Sequence, residues 1–194
     1  MELQKALHIA DGLLETLTPH CETINIAGSC RRRKPDVHDI EIVCLPQMKM
    51  RKALFGEDTE DGRKKEFITV VGQLGKIIKG SAADGQLVQV MLPEGISLDL
   101  FIPTRHDYYR KYALRTGSGD YAKNVIAAGW RKIGWSGCGD DGLRRTTDCI
   151  KTTGKKPIWK CVNKNGELPP VWKSEQEFFD WIKVRYVEPQ LRNI

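Results

Sequence analysis

The sequence predicts an α+β fold, a sheet with helices on one face, and three observations carry that expectation. The chain opens on an amphipathic helix, continues into two short apolar strands, and after a second helical stretch enters two more strands joined by a Pro-Glu-Gly turn. That order of helix, strand, strand, helix, strand, strand is followed by a mixed tail of glycine turns, short strands and one well-capped helix.

Each element follows from local pattern. Leu3, Leu7, Leu14 and Leu17, with Ala6, Ala10 and Leu13 beside them, recur at helical spacing over 3–17. Residues 23–27 read as a strand running into Gly28-Ser29, and residues 40–45 as a second strand stopped by Pro46. Between them lies the basic connection Arg31-Arg32-Arg33-Lys34. Residues 47–65 turn polar and charged, which predicts an exposed loop with one helical turn. Phe67, Val70, Val71, Leu74 and Ile78 then predict a helix over 65–78. Gly72-Gln73-Leu74-Gly75-Lys76-Ile77 belongs to that helix rather than to a P-loop, because its glycine spacing is short and no Ser or Thr follows the lysine. Residues 86–92 and 97–102 make a hairpin across Pro93-Glu94-Gly95, and 120–128 fits a short helix. Residues 134–142 and 152–166 alternate glycine turns with strand-like pieces. The last helix opens at Ser174, where Ser174-Glu175-Gln176-Glu177 has capping-box spacing and Phe178, Trp181 and Ile182 supply an apolar face.

Composition excludes several classes. A chain of 194 residues buries roughly 70% of the surface its unfolded form exposes, enough for one core or two small ones without staples. The longest apolar runs are far too short to cross a bilayer, so a membrane partner is not expected. Glu2, Asp11 and Glu15 interrupt the first 20 residues, so no secretory signal is expected, and the cytoplasm or nucleus is the default compartment. A viral or phage-encoded chain of this kind would act inside its host cell. Cys21, Cys30, Cys44, Cys138, Cys149 and Cys161 form no CxxC pair and have no His at zinc-finger spacing, which predicts reduced, buried thiols. With 31 Lys+Arg against 25 Asp+Glu the net charge is +6, compatible with a nucleic-acid partner.

The stretch richest in chemistry is Gly28-Ser29-Cys30-Arg31-Arg32-Arg33 followed by Asp39-Ile40-Glu41. On a strand, residues i and i+2 share a face, so Asp39 and Glu41 stand side by side while Ile40 and Ile42 enter the core. Two such carboxylates are either solvated acids on a half-exposed strand or a pair that needs a cation between them. Asp99, flanked by Leu98 and Leu100, has the same setting on a later strand. If the strands adjoin, Asp39, Glu41 and Asp99 converge, as a site for two divalent ions requires. Gly28-Ser29 offers a strand-end turn for phosphate with Arg31 and Arg32 in reach. Thr116-Gly117-Ser118-Gly119, just before Asp120, reads either as a second anion- or sugar-binding loop or as an ordinary turn with an N-cap.

Gly28-Ser29-x-Arg31-Arg32 with Asp39-x-Glu41, Leu98-Asp99-Leu100-x-Ile102-Pro103, and Thr116-Gly117-Ser118 with Lys123-Asn124 together resemble the family X DNA polymerases, the polymerase beta type. The tail is similar too, in Leu168-Pro169, Phe178-Phe179-Asp180-Trp181-Ile182 and Tyr186-x-Glu188-Pro189. The resemblance implies a nucleotidyltransferase palm over 1–106, with a mixed or antiparallel sheet and helices on one face, then a small α/β thumb subdomain over 107–194. Nothing matches the family's N-terminal lyase domain, so no lyase activity is expected. It implies DNA-directed addition of dNMP to a primer 3′-OH in gap filling or end repair, with template-primer or gapped DNA and dNTP as partners and a monomeric enzyme.

The resemblance also assigns residues. Asp39 and Glu41 hold two Mg²⁺ ions, with Mn²⁺ as a substitute, and Asp99 holds the catalytic ion beside the primer 3′-OH. Ser29, Arg32 and the backbone at His38 hold the triphosphate. Thr116, Gly117, Ser118, Gly119 and Asp120 border the sugar and base. Arg31, Arg33, Lys34, Lys123, Asn124 and Arg131 face DNA, within a wider basic stripe that includes Lys111, Arg115 and Lys132. The chain departs from the family in four places: Glu41 for the usual Asp, Leu114-Arg115 for an aromatic pair, Gly119 for an acid, and Phe101 for a basic residue. Trp130, Trp135, Trp159, Trp172 and Trp181 read as core or subdomain-interface packing. Two rivals remain: a template-independent transferase acting on a 3′ end or a small molecule, and a catalytically idle nucleic-acid-binding module.

Overall fold

The computed structural model describes residues 1–53 and 56–194, which divide into two compact units, Met1–Pro103 and Thr104–Ile194. In the first unit, helix α1 (Leu3–Leu17) precedes strand β1 (Cys21–Ile26), a one-turn helix α2 (Gly28–Arg31) and strand β2 (Asp39–Pro46). Strands β3 (Met48–Arg51) and β4 (Thr59–Arg63), helix α3 (Lys65–Gln73) and strands β5 (Lys76–Gly80), β6 (Leu87–Met91) and β7 (Ser97–Phe101) complete it. Five strands form one mixed sheet in the order β1-β2-β7-β6-β5. The β2–β7 pair is parallel and every other pair antiparallel. The architecture is therefore α+β.

Strand alternation decides which face the helices cover. Ile40, Ile42 and Cys44 of β2, Leu98 and Leu100 of β7, and Val88 and Val90 of β6 all enter one core. Ala6, Ala10, Leu13 and Leu17 of α1 and Phe67 and Val71 of α3 meet them there, so both helices lie on the same face. Asp39, Glu41, Gln89 and Asp99, at the intervening positions, take the opposite face.

Two expectations in this unit are corrected. The helix predicted over 65–78 stops at Gln73, and Lys76–Gly80 is an edge strand instead. A Cβ on Gly75 would lie 2.2 Å from the Met91 carbonyl oxygen, so only glycine lets the chain come this close to β6 and begin pairing. Ile77 and Ile78 are accordingly exposed rather than on a buried helical face. The loop predicted over 47–65 contains the β3–β4 hairpin, with Met50 opposite Glu60 and Arg51 opposite Thr59; its residues 54–55 lie outside the described residues. Backbone pairing and an exposed Lys49–Asp61 ion pair at 3.5 Å join this hairpin, and both its faces are largely exposed, so it has no apolar alternation to announce it.

The second unit begins with a 3₁₀ turn, Arg105–Asp107, and helix α4 (Tyr108–Thr116). Helix α5 (Gly119–Tyr121), a π-helical turn (Ala122–Ile126) and α6 (Ala127–Lys132) then run on without a break, four residues past the predicted end at 128. Two small hairpins follow, β8 (Trp135–Gly137) with β9 (Leu143–Arg145) and β10 (Cys149–Lys151) with β11 (Trp159–Cys161), before helix α7 (Glu175–Trp181). Ser174 caps α7 as the spacing predicts, its Oγ accepting from the Glu177 N–H at 3.1 Å; the reciprocal bond of a capping box is displaced by one residue, since Glu177 Oε2 accepts from the Lys173 N–H at 2.7 Å instead of from that of Ser174.

Aromatic residues fill this unit's core. Trp172 stands edge-on to Phe178 and Trp181, and Trp181 edge-on to Trp135, at centroid separations of 5.0 to 5.2 Å. Arg192, fully buried, donates twice to Glu175 and lies 4.8 and 4.9 Å from the ring centroids of Phe179 and Tyr186. Among the described residues, no helix is long and apolar enough to cross a membrane.

Candidate functional site

The β2–β7 register builds the site. In this parallel pair Glu41 lies opposite Asp99 and Asp39 opposite Ser97, so all three expected carboxylates share one face of two adjacent strands. Ile40, Ile42, Leu98 and Leu100, all fully buried on the other face, anchor the strands and leave the acids no alternative orientation.

Three local contacts tell the carboxylates apart. Asp99 Oδ1 accepts a 2.9 Å hydrogen bond from Gln89 Nε2, its direct cross-strand partner on β6. Glu41 turns its carboxylate over Gly28: a Cβ there would lie 2.2 Å from Glu41 Oε2 and 3.0 Å from Glu41 Cβ. Gly28 also has a φ of +61°, so both backbone and space demand glycine at the end of β1. Asp39 is held above the usual carboxylate range, first by burial and then by the charge of Asp99, against the opposing influence of its backbone hydrogen bond, His38 and Arg32. His38 and Arg32 are therefore within electrostatic reach of Asp39.

The turn after β1 completes this face. Ser29 Oγ is buried and has no hydrogen-bond partner, an orphaned donor beside the Glu41 carboxylate's glycine. A phosphate oxygen is the acceptor such a hydroxyl lacks. Beneath it, burial and the charges of Asp39 and Glu41 push the Cys30 thiol up to about 11, which keeps it protonated and inert. Arg31, Arg32 and Lys34 are half-exposed and Arg33 and His38 exposed, so this basic connection is solvated rather than folded into the core.

Oxygen donors of this kind suit a hard divalent cation. Among the described residues no three His, Cys, Asp or Glu side chains close on one point to cage a metal. Asp39, Glu41 and Asp99 are the residues that could hold such an ion, one or two of them at a time together with substrate phosphates.

The other expected residues belong to the second unit. Ser118 is the N-cap of α5: its Oγ accepts from the Tyr121 N–H at 3.1 Å and donates to the Ile194 carbonyl at 3.0 Å. Thr116 is fully buried, and Gly117 leaves room for the Tyr121 ring, which a Cβ would approach to 2.7 Å. Gly119 and Asp120 are exposed. This turn thus satisfies the N-cap reading through its own contacts. Lys123, Asn124 and Arg131 are exposed, with Arg131 Nη2 donating to the Lys123 carbonyl at 3.2 Å. Lys111, Lys123 and Trp130 line one groove with Gly137 and Gly139, which places part of the expected basic stripe on a single concave surface.

No protein-family model matches this chain, and no curated protein matches it. The functional reading therefore rests on the geometry.

Gln89 is the one site residue that sequence reasoning passed over. Its signal was present in Val88-Gln89-Val90, where the flanking valines are fully buried and the amide stands on the same face as Asp99.

Proposed function

We propose that this chain is a nucleotidyltransferase of the family X DNA polymerase type, a palm followed by a thumb subdomain, joining dNMP to a primer 3′-OH in gap filling or end repair. The observation that supports this most is the β2–β7 register, which sets Asp39, Glu41 and Asp99 on one face beside the Gly28-Ser29 turn.

The chain's own residues have distinct tasks in that reaction. Ser29, whose hydroxyl otherwise lacks a partner, and Arg32 grip the triphosphate and hold its α-phosphate in line with the attacking oxygen. Asp99 stands beside the primer hydroxyl and accepts its proton, while Gln89 fixes Oδ1 and leaves Oδ2 for that role. Asp39, held above the usual carboxylate range by burial and by the charge of Asp99, is the carboxylate that gains most from a neighbouring cation. Mg²⁺ ions, each held by one or two of Asp39, Glu41 and Asp99 together with substrate phosphates, would supply charge neutralisation at the phosphate oxygens and acidify the hydroxyl. The bond from the 3′ oxygen to the α-phosphorus forms as the bond to pyrophosphate breaks.

One observation favours a second reading, an idle nucleic-acid-binding module. Glu41 is one methylene longer than aspartate and lies over Gly28. Calorimetry with a non-hydrolysable dNTP separates the two. The nucleotidyltransferase reading predicts binding that requires Mg²⁺ and weakens as pH falls through the raised Asp39 titration, because protons then compete for the cation's ligand. Ser29→Ala weakens it by about 10- to 100-fold, the loss of one hydrogen bond to a charged group, and leaves the melting temperature unchanged. DNA binding without Mg²⁺-dependent nucleotide binding supports the idle module instead.

A further inference from the structure

We propose that Cys138, Cys149 and Cys161 form a thiol–disulfide exchange site in the second unit, which reacts with a small-molecule disulfide of the glutathione class and ends as a Cys138–Cys149 cross-link. Cys138 follows β8 and Cys149 opens β10, and both are buried. Their sulfurs lie 3.1 Å apart, so an S–S bond of about 2.05 Å needs only about 1 Å of closure. The remaining sulfur contacts are weak bonds to carbonyls, Cys138 to Ser136 at 3.8 Å and Cys149 to Arg145 at 3.2 Å. Neither opposes that movement.

Cys161 connects this pair to solvent. It is the direct antiparallel partner of Cys149 across β10–β11, an arrangement that sets Cα atoms about 4.5–5.5 Å apart, within the range a disulfide spans. Unlike the other two it is only half-buried, and its Sγ contacts the Asn163 carbonyl at 3.3 Å. Burial, then the neighbouring Cys149 thiol, push the Cys138 thiol up to about 12, so Cys138 is a poor first nucleophile. The external reagent enters at Cys161. Its thiolate attacks one sulfur of RSSR, forming a mixed disulfide and releasing RS⁻. The Cys149 thiolate then attacks Cys161 Sγ, forming Cys149–Cys161 and releasing the second RS⁻. Finally the Cys138 thiolate attacks Cys149 Sγ and returns Cys161 as a thiolate. In total two protein thiols give up two electrons and two protons, and RSSR takes them up as two RSH.

The closed loop, 138–149, includes Gly139 in the wall of the basic groove, so oxidation fixes that wall. The inference is independent of the nucleotidyltransferase reading. Its test uses the full chain equilibrated with oxidised glutathione, alkylated, and digested with trypsin, which puts the three cysteines on separate peptides, 133–144, 146–151 and 161–164. The expected product is peptide 133–144 linked to 146–151, with a melting temperature raised by roughly 5–10 °C and restored by dithiothreitol. Cys161→Ser should slow the linkage at least tenfold and leave its product the same. Complete alkylation of all three thiols at equilibrium, a final link that retains Cys161, or a wild-type rate in Cys161→Ser would each overturn the proposal.

Discussion

Asp99→Ala is expected to lower single-turnover primer extension by about 10³-fold or more while leaving the fold cooperative. The substitution removes the group placed to take the hydroxyl proton and one of the three carboxylates on the shared face of β2 and β7. Stability should change by less than about 1 kcal/mol, because two effects oppose. Losing the Asp99 charge relieves the repulsion that helps hold Asp39 above the usual carboxylate range, so Asp39 titrates closer to its ordinary value. Gln89 loses its 2.9 Å acceptor, but Asp99 is only half-buried and water replaces it. Asp99→Asn keeps an acceptor for Gln89 yet cannot take a proton, and should fail to the same degree. Extension at the wild-type rate by either variant removes Asp99 from the chemistry.

The largest expected effect on folding is in the second unit, at Arg192→Ala. Arg192 is fully buried, its guanidinium is bidentate to Glu175 at 2.7 and 3.1 Å, and its Nε donates to the Val187 carbonyl at 2.7 Å. Truncating it takes both guanidinium donors from the buried Glu175 carboxylate and opens the space between Phe179 and Tyr186. Breaking a buried pair from one side costs about 3–5 kcal/mol, a large share of what holds a domain of this size together. All five tryptophans, Trp130 to Trp181, lie in this unit, so denaturant unfolding followed by tryptophan fluorescence reads its stability directly. Adding Glu175→Gln should recover part of the loss, since a neutral amide costs less to bury than a carboxylate that has lost its guanidinium. Arg192→Lys should recover little, because an ammonium can neither match the carboxylate bidentately nor stack on both rings. An unchanged midpoint in Arg192→Ala would show that the pair contributes nothing.

Much of the site was legible because strand alternation writes burial into sequence. Asp39-Ile40-Glu41-Ile42 and Leu98-Asp99-Leu100 each state, without any partner strand, that the acids share the face opposite the core. What they do not state is adjacency. The pairing of β2 with β7 joins residues far apart in the chain, and only the structure supplies the register that sets Glu41 opposite Asp99. Gln89 was hidden for the same reason, since its role exists only across the β6–β7 pair.

The elements that were misread lacked an apolar signature. β3 and β4 are largely exposed on both sides, so the period that marks a strand is missing. The end of α3 was obscured because Ile77 and Ile78 continue a plausible helical stripe, whereas the near approach of Gly75 to the Met91 carbonyl, a long-range fact, turns the chain into β5. Local capping, by contrast, was readable in its main part: Ser174 Oγ caps the Glu177 N–H as its spacing implies, while the Glu177 carboxylate reaches one residue further back, to the Lys173 N–H rather than to that of Ser174. At Thr116-Gly117-Ser118 a short motif admitted two meanings, and the contacts to Tyr121 and Ile194 account for Gly117 and Ser118 as structural residues.

The most direct measurement is primer extension on template-primer, gapped and single-stranded DNA, with each dNTP and rNTP supplied singly in Mg²⁺ or Mn²⁺. A template-directed nucleotidyltransferase should show metal-dependent addition of the dNMP complementary to the template base, on the template-primer and gapped substrates and not on the single strand. Addition that ignores the template base, or no addition with any nucleotide in either metal, contradicts that reading.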